Sequence, residues 1–232
     1  MVPRGGGLLL TCLLAAPACA QVSGSISVLS DARYHGTSLS DGDPTLQLAL
    51  AWDSPSGWYA GTQFTRVRFA YPGAEDELQA EPYFGYVRAL ESGRTIEAGA
   101  QYTWFSHTTD YSYPELYAAM SGERVRARIA WMPDYYGQAT AWYAQLDGNH
   151  PLRGPFYAVA HAGVLHQGHG GVYAYTDDPT WRYDLAAGVG VARAGFDLQL
   201  SWTTGSPRPE EHCAPWLCGA RNAWVLRLSR NW

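Results

Sequence analysis

The chain has 232 residues, 21 acidic against 16 basic, for a formal charge of -5, and every basic residue is arginine. That balance speaks against nucleic acid as a partner, and the length suits one domain with no Pro/Ser-rich linker to divide it. Aromatic residues make up 14% against 16% charged, and no run of about 20 apolar residues occurs, which excludes a helical membrane protein; a barrel escapes that filter because its strands need an apolar residue only at alternate positions.

Residues 1–20 read as a secretory signal peptide, with Arg4, an apolar run over 8–16 and an Ala18-Cys19-Ala20 cleavage site. The mature domain is then 21–232, with Cys213 and Cys218 as its two cysteines. Two thiols this close in an exported chain predict a disulfide that pins a loop.

From residue 25 onward, alternating segments recur between clusters of Gly, Pro, Asp and Ser. Twelve strands are predicted: 25–34, 45–53, 58–69, 83–88, 94–105, 115–120, 123–132, 138–146, 156–165, 181–191, 196–203 and 222–232. In the second, Leu46, Leu48, Leu50 and Trp52 oppose Thr45, Gln47, Ala49 and Ala51. In the fifth, Ile96, Ala98, Ala100, Tyr102 and Trp104 oppose Thr95, Glu97, Gly99, Gln101 and Thr103. The seventh sets Val125, Ala127, Ile129 and Trp131 against Arg124, Arg126, Arg128 and Ala130, stacking three arginines on one face as only a strand can. In the last, Trp224, Leu226 and Leu228 alternate with Val225, Arg227 and Ser229, and the final residue is Trp232. An apolar strand at the end of a chain is a liability unless it pairs, so this one is expected to close a cylinder. Its terminal aromatic is like the signal read by the barrel-assembly machinery of outer membranes. Connections alternate between short (DSPSG, ESG, SG, ARAG) and long, acidic ones, as periplasmic turns and external loops do. Two connections break the pattern, 147–155 being long for a turn and 133–137 short for a loop. The fold class predicted is all-β, a single antiparallel transmembrane barrel of about twelve strands.

With the apolar faces toward lipid, the other faces converge on the lumen. They carry Asp31, Arg33, Arg66, Arg68, Glu81, Glu97, Glu115, Arg124, Arg126, Arg128, Arg182, Asp184 and Arg227, and the cost of burying lone charges predicts a ladder of Arg–carboxylate pairs. Either fixed arginines line a narrow aqueous path and select anions, or they neutralise neighbouring acids and plug the tube. The loops hold Asp41, Asp43, Glu75, Asp76, Glu77, Asp110, Asp134, Asp177, Asp178, Glu210 and Glu211, a solvated rim or one that bridges lipopolysaccharide through divalent ions. His107, His161, His166 and His169 could serve as bases for a lipid hydrolase, but no GxSxG nucleophile motif accompanies them. His166-Gln167-Gly168-His169 lacks a third ligand, and Asp41-Gly42-Asp43 is too short for a calcium loop. No catalytic residue, metal or cofactor is expected.

Residues 30–38, SDARYHGTS, followed by SDGDP at 40–44, resemble the opening motif of the TorF-type putative porins, often SDYRFRGxSxSDxxP. Later echoes are GWYAG at 57–61, YPELY at 113–117 and PDYYG at 133–137. Ala32 stands where that pattern has an aromatic residue and His35 where it has Arg. The resemblance implies an outer-membrane barrel acting as a porin for an undefined solute. The function expected is passive diffusion of small, possibly anionic, solutes across the outer membrane, among its lipids and lipopolysaccharide. A lipid-modifying barrel enzyme and a structural or adhesive barrel are the alternatives.

Overall fold

The computed structural model describes residues 21–69, 73–168, 180–206 and 222–232. Its strands are β1 (Gln21–Leu29), β2 (Arg33–Tyr34), β3 (Thr37–Ser38), β4 (Thr45–Asp53), β5 (Trp58–Val67), β6 (Glu77–Ala89) and β7 (Thr95–Phe105), then β8 (Tyr113–Ser121), β9 (Val125–Tyr135), β10 (Ala139–Pro151), β11 (Phe156–Gln167), β12 (Thr180–Arg193), β13 (Phe196–Gly205) and β14 (Ala223–Asn231). All but β2 and β3 form one closed antiparallel barrel of twelve strands, each pairing with its neighbours in the chain around the ring. The last strand pairs with the first, Ser27 opposite Ser229 and Val28 opposite Leu228. Gly24 and Trp232 exchange backbone hydrogen bonds at 3.1 and 3.0 Å, so no strand edge is left open at this seam.

Outside, the wall is apolar in layers. Trp52, Trp58, Tyr86, Phe156, Phe196 and Trp232 are exposed toward the short-turn end, and Trp104, Trp142, Trp181, Trp202 and Trp224 toward the long-loop end. Leu50, Leu116, Ile129, Leu146, Val189 and Leu226 are exposed between these two belts. An apolar band between aromatic girdles is the outer surface of a barrel built for a bilayer.

The twelve barrel strands coincide in order with the twelve predicted segments, and several boundaries differ for physical reasons. β6 begins at Glu77, inside the stretch read as an acidic loop. β10 runs on to Pro151 and β9 to Tyr135, so the connection after β10 is a short turn after all. The first segment ends at Leu29, and residues 30–44 turn into the barrel. Glycines that interrupt the strands have a packing role. A β-carbon at Gly61, Gly85, Gly99, Gly163 or Gly190 would overlap the ring or hydroxyl of Tyr83, Tyr59, Tyr117, Tyr143 or Tyr157 respectively. Inward tyrosines thus lie across inward glycines of a neighbouring strand, where any side chain would hold them off.

Candidate functional site

Residues 30–44 fold inward as a hairpin, β2 and β3 joined through His35 and Gly36 at φ 46° and 74°. The type I′ form of a two-residue turn has positive φ at both central positions, which glycine takes without strain and histidine tolerates. Buried Asp31 organises the hairpin, accepting from Arg33 Nε at 2.6 Å, Ser38 Oγ at 2.5 Å and Ser40 Oγ at 3.2 Å. The His35 ring lies 3.7 Å from that of Tyr143, and its Nδ1 is 3.1 Å from the Tyr135 hydroxyl. Arg182 donates to Thr37 Oγ1 at 2.8 Å, and Gly36 packs against Asp184. Around this hairpin Ala32, Leu39, Val67, Phe105, Tyr113, Met132, Tyr135, Tyr136, Tyr143 and Leu165 form a buried apolar cluster. The long-loop half of the lumen beside β5–β11 is therefore a packed core, and among the described residues the interior space lies mainly beyond it.

That space is a cavity of about 630 Å³, lined by the hairpin residues Arg33 to Gly36 and by wall side chains that include Glu81, Glu97, Arg126, Arg128, His161 and Asp184. A second, of about 420 Å³, continues toward the short turns and includes Arg124 and Asp147. Both are bordered by Arg126, His161 and Ala186. Arg126 Nε donates to Glu97 at 2.9 Å, Arg128 is bridged to Glu115, whose side chain is wholly buried, and the Arg128 guanidinium lies 4.5 Å above the Tyr117 ring. Arg124, half-exposed at the short-turn rim, is 3.8 Å from Glu123. Arg227, on β14, faces inward and donates to the hydroxyls of Ser229 and Ser27.

Not every residue of the expected ladder is in the lumen. On β5 it is Tyr59, Gln63, Thr65 and Val67 that point inward, which turns Arg66 out. Arg66 and Arg68 both stand at the long-loop rim, bonded to Asp76, with Arg68 also 2.9 Å from Asp43. The hydrogen bonds from Arg66 and then Arg68 hold Asp76 below the usual carboxylate range. Arg33 sits on the inner hairpin rather than on a wall strand. Glu81 has no guanidinium partner among the described residues. Its two oxygens accept the amides of Gln63 and Gln101 at 3.0 and 3.1 Å. Glu77, grouped with the acidic loop, is buried and accepts the backbone N–H groups of His107 and Thr108, both at 3.0 Å.

The cluster that sequence reasoning missed joins β10, β11 and β12. His161 Nδ1 lies 2.6 Å from Asp147 and its Nε2 2.7 Å from Asp184, to which the Tyr143 hydroxyl also donates at 3.1 Å. An imidazole with one N–H cannot donate to two carboxylates, so the trio holds one further proton, on the ring or on an acid. From the sequence His161 reads only as a possible base, and Asp147 falls in the long connection 147–155. His166 stacks on Trp181 at 4.3 Å. Cys213, Cys218, His169, Asp177, Asp178, Glu210 and Glu211 lie outside the described residues. No group of three His, Cys, Asp or Glu side chains among the described residues is placed to hold a metal ion.

A closed twelve-strand wall, apolar outside, around a polar interior with its own cavities, is the architecture of the outer-membrane porin class. The comparisons agree on the fold. The NanC porin aligns at a TM-score of 0.56 with 10% identity, over 89% of this chain and 97% of that one. The KdgM porin aligns at 0.53 with 8% identity over 92% and 98%, and the COG4313 outer membrane channel from Pseudomonas putida F1 at 0.57 with 14% identity over 94% and 96%. Residues 15–213 match the family described as "Bacterial protein of unknown function (Gcw_chp)", and the chain belongs to that family. No curated protein matches it.

Proposed function

We propose that the protein is an outer-membrane porin-like channel through which small solutes diffuse passively. The observation that carries this reading is the pair of adjoining polar cavities inside a wall whose outer face is apolar and girdled by aromatics. The channel folds of the NanC porin, the KdgM porin and the Pseudomonas putida channel support it. In this reading residues 1–20 are an export signal, 21–232 form the barrel domain, and the short turns and both ends of the domain face the periplasm. Cys213 and Cys218 tie the last long loop, the C-terminal strand engages the barrel-assembly machinery, and the long-loop rim meets lipopolysaccharide. The SDARYHGTS stretch, which carries the resemblance to TorF-type porins, supplies the inner hairpin that narrows the path.

Proteoliposomes placed in iso-osmotic solutions of neutral solutes test the proposal. Swelling is expected to be faster than in empty vesicles and to slow as solute size rises. Replacing residues 30–44 by a short turn should accelerate it, because the hairpin and its apolar partners occupy the lumen. Vesicles that hold folded barrel yet do not swell, with or without the hairpin, would leave a structural or adhesive role, the reading that the packed core at the long-loop half favours.

A further inference from the structure

We infer that the lumen selects small cations, monovalent ions and protonated amines, over anions, and that Glu81 and the Asp147–His161–Asp184 trio together set this preference. This rests on the channel reading. The argument is an account of which charges facing the two cavities are already compensated. Apart from His35, whose ring lies against Tyr143, the basic side chains that line them among the described residues are Arg33, Arg124, Arg126, Arg128 and His161. Each lies within ion-pair distance of a carboxylate: Asp31, Glu123, Glu97, Glu115, and Asp147 with Asp184, respectively. An entering anion therefore meets no uncommitted guanidinium there and would have to break a bridge, several of them desolvated, to gain one.

The lining carboxylates are Glu81, Glu97, Glu123, Asp147 and Asp184. All but Glu81 belong to one of those bridges, and the trio of Asp147, His161 and Asp184 sets two carboxylates against one imidazole, so it too keeps a negative charge. Glu81 is 6% exposed; its oxygens accept two glutamine amides from the strands on either side, and the Arg128 guanidinium, committed to Glu115, acts on it only from beyond ion-pair distance. Two neutral donors solvate a carboxylate, but they leave its charge uncancelled. A confined negative charge in a narrow lumen attracts cations and repels anions more strongly than the same charge in bulk water. Arg182 and Arg227, inward arginines that donate to the hydroxyls of Thr37 and of Ser27 and Ser229, line neither cavity. The arginine ladder, which on its own would suggest an anion path, is thus neutralised by its neighbours and leaves Glu81 and the Asp147–His161–Asp184 trio in control.

The test is the reversal potential across planar bilayers holding the full-length mature protein under a KCl gradient buffered at pH 8.5. The wild type is expected to pass potassium several-fold better than chloride. Glu81→Gln keeps the shape and one of the two amide contacts, the other returning only if the facing glutamine amide turns over, and should move the ratio measurably toward unity. Gln63→Lys, which supplies a cation beside an intact Glu81, should lower it likewise and serves if the first variant does not fold. Glu91→Gln, in the short turn after β6 and lining neither cavity, should leave the ratio near the wild-type value. A chloride-selective wild type overturns the inference, and so does a ratio untouched by both Glu81→Gln and Gln63→Lys in folded, conducting barrels. A folded protein that never conducts overturns the channel reading itself, a failure distinguishable from these because no ratio is then measured.

Discussion

Replacing Arg128 with methionine is expected to destabilise the barrel by about 3–5 kcal/mol, the cost of stranding one partner of a buried ion pair. Glu115 is wholly buried and bridged to Arg128, whose own side chain is 11% exposed. Without the guanidinium the carboxylate must either keep an uncompensated charge or take up a proton, and both oppose folding near neutral pH. The loss also removes the guanidinium from above the Tyr117 ring. The double replacement Arg128→Met with Glu115→Gln removes charge from both sides and should recover most of the loss. Equilibrium unfolding in urea from detergent micelles measures both variants. A single variant as stable as wild type would show that the lumen hydrates Glu115 well enough to make the bridge dispensable.

Gly163→Val is the second large effect, with an expected loss of about 3 kcal/mol from overpacking and broken hydrogen bonds together. A β-carbon at residue 163 would overlap the Tyr143 hydroxyl and lie 2.7 Å from Asp184 Oδ1. Tyr143 cannot swing aside freely, since it is 2% exposed and its ring is held against His35 at 3.7 Å. The substitution therefore pries Tyr143 and Asp184 from His161 and loosens the inner hairpin through His35. Tyr143→Ala in the same chain clears the overlap, so the two changes together should cost less than their sum. Strict additivity in the same unfolding experiment would place the strain elsewhere.

The wall was legible because its physics is local. Alternation in 94–105 and 123–132 follows from one face meeting apolar surroundings and the other polar ones, and the terminal strand 222–232 had to pair with something. The inner hairpin was not legible, because residues 30–34 continue the alternation of β1 and only the bonds of Asp31 to Arg33, Ser38 and Ser40 fold them inward. Arg66 was misassigned for a related reason. Its strand extends to Val67, and the face that buries Thr65 and Val67 necessarily expels it. The trio of Asp147, His161 and Asp184 depends on cross-strand register, Asp147 opposite His161, and register is settled by pairing across the barrel rather than by either strand alone. Glu81 was recognised as a lumen acid, but its partners Gln63 and Gln101 come from two different strands, and nothing in its own neighbourhood announces that they would be amides.

The two-faced wall is tested most directly by thiol accessibility along β10, with Cys213 and Cys218 replaced by serine. Single cysteines at Gln145 and Asp147, which border the lumen cavities, are expected to react in proteoliposomes with a charged, membrane-impermeant thiol reagent. Cysteines at Ala144 and Leu146, on the exposed apolar face, should resist it, and a fluorophore attached to them before reconstitution should be quenched by brominated lipid. The reverse pattern, with 144 and 146 reacting while 145 and 147 are shielded, would mean that the apolar face looks into the protein and the ionic face outward, and would contradict the account.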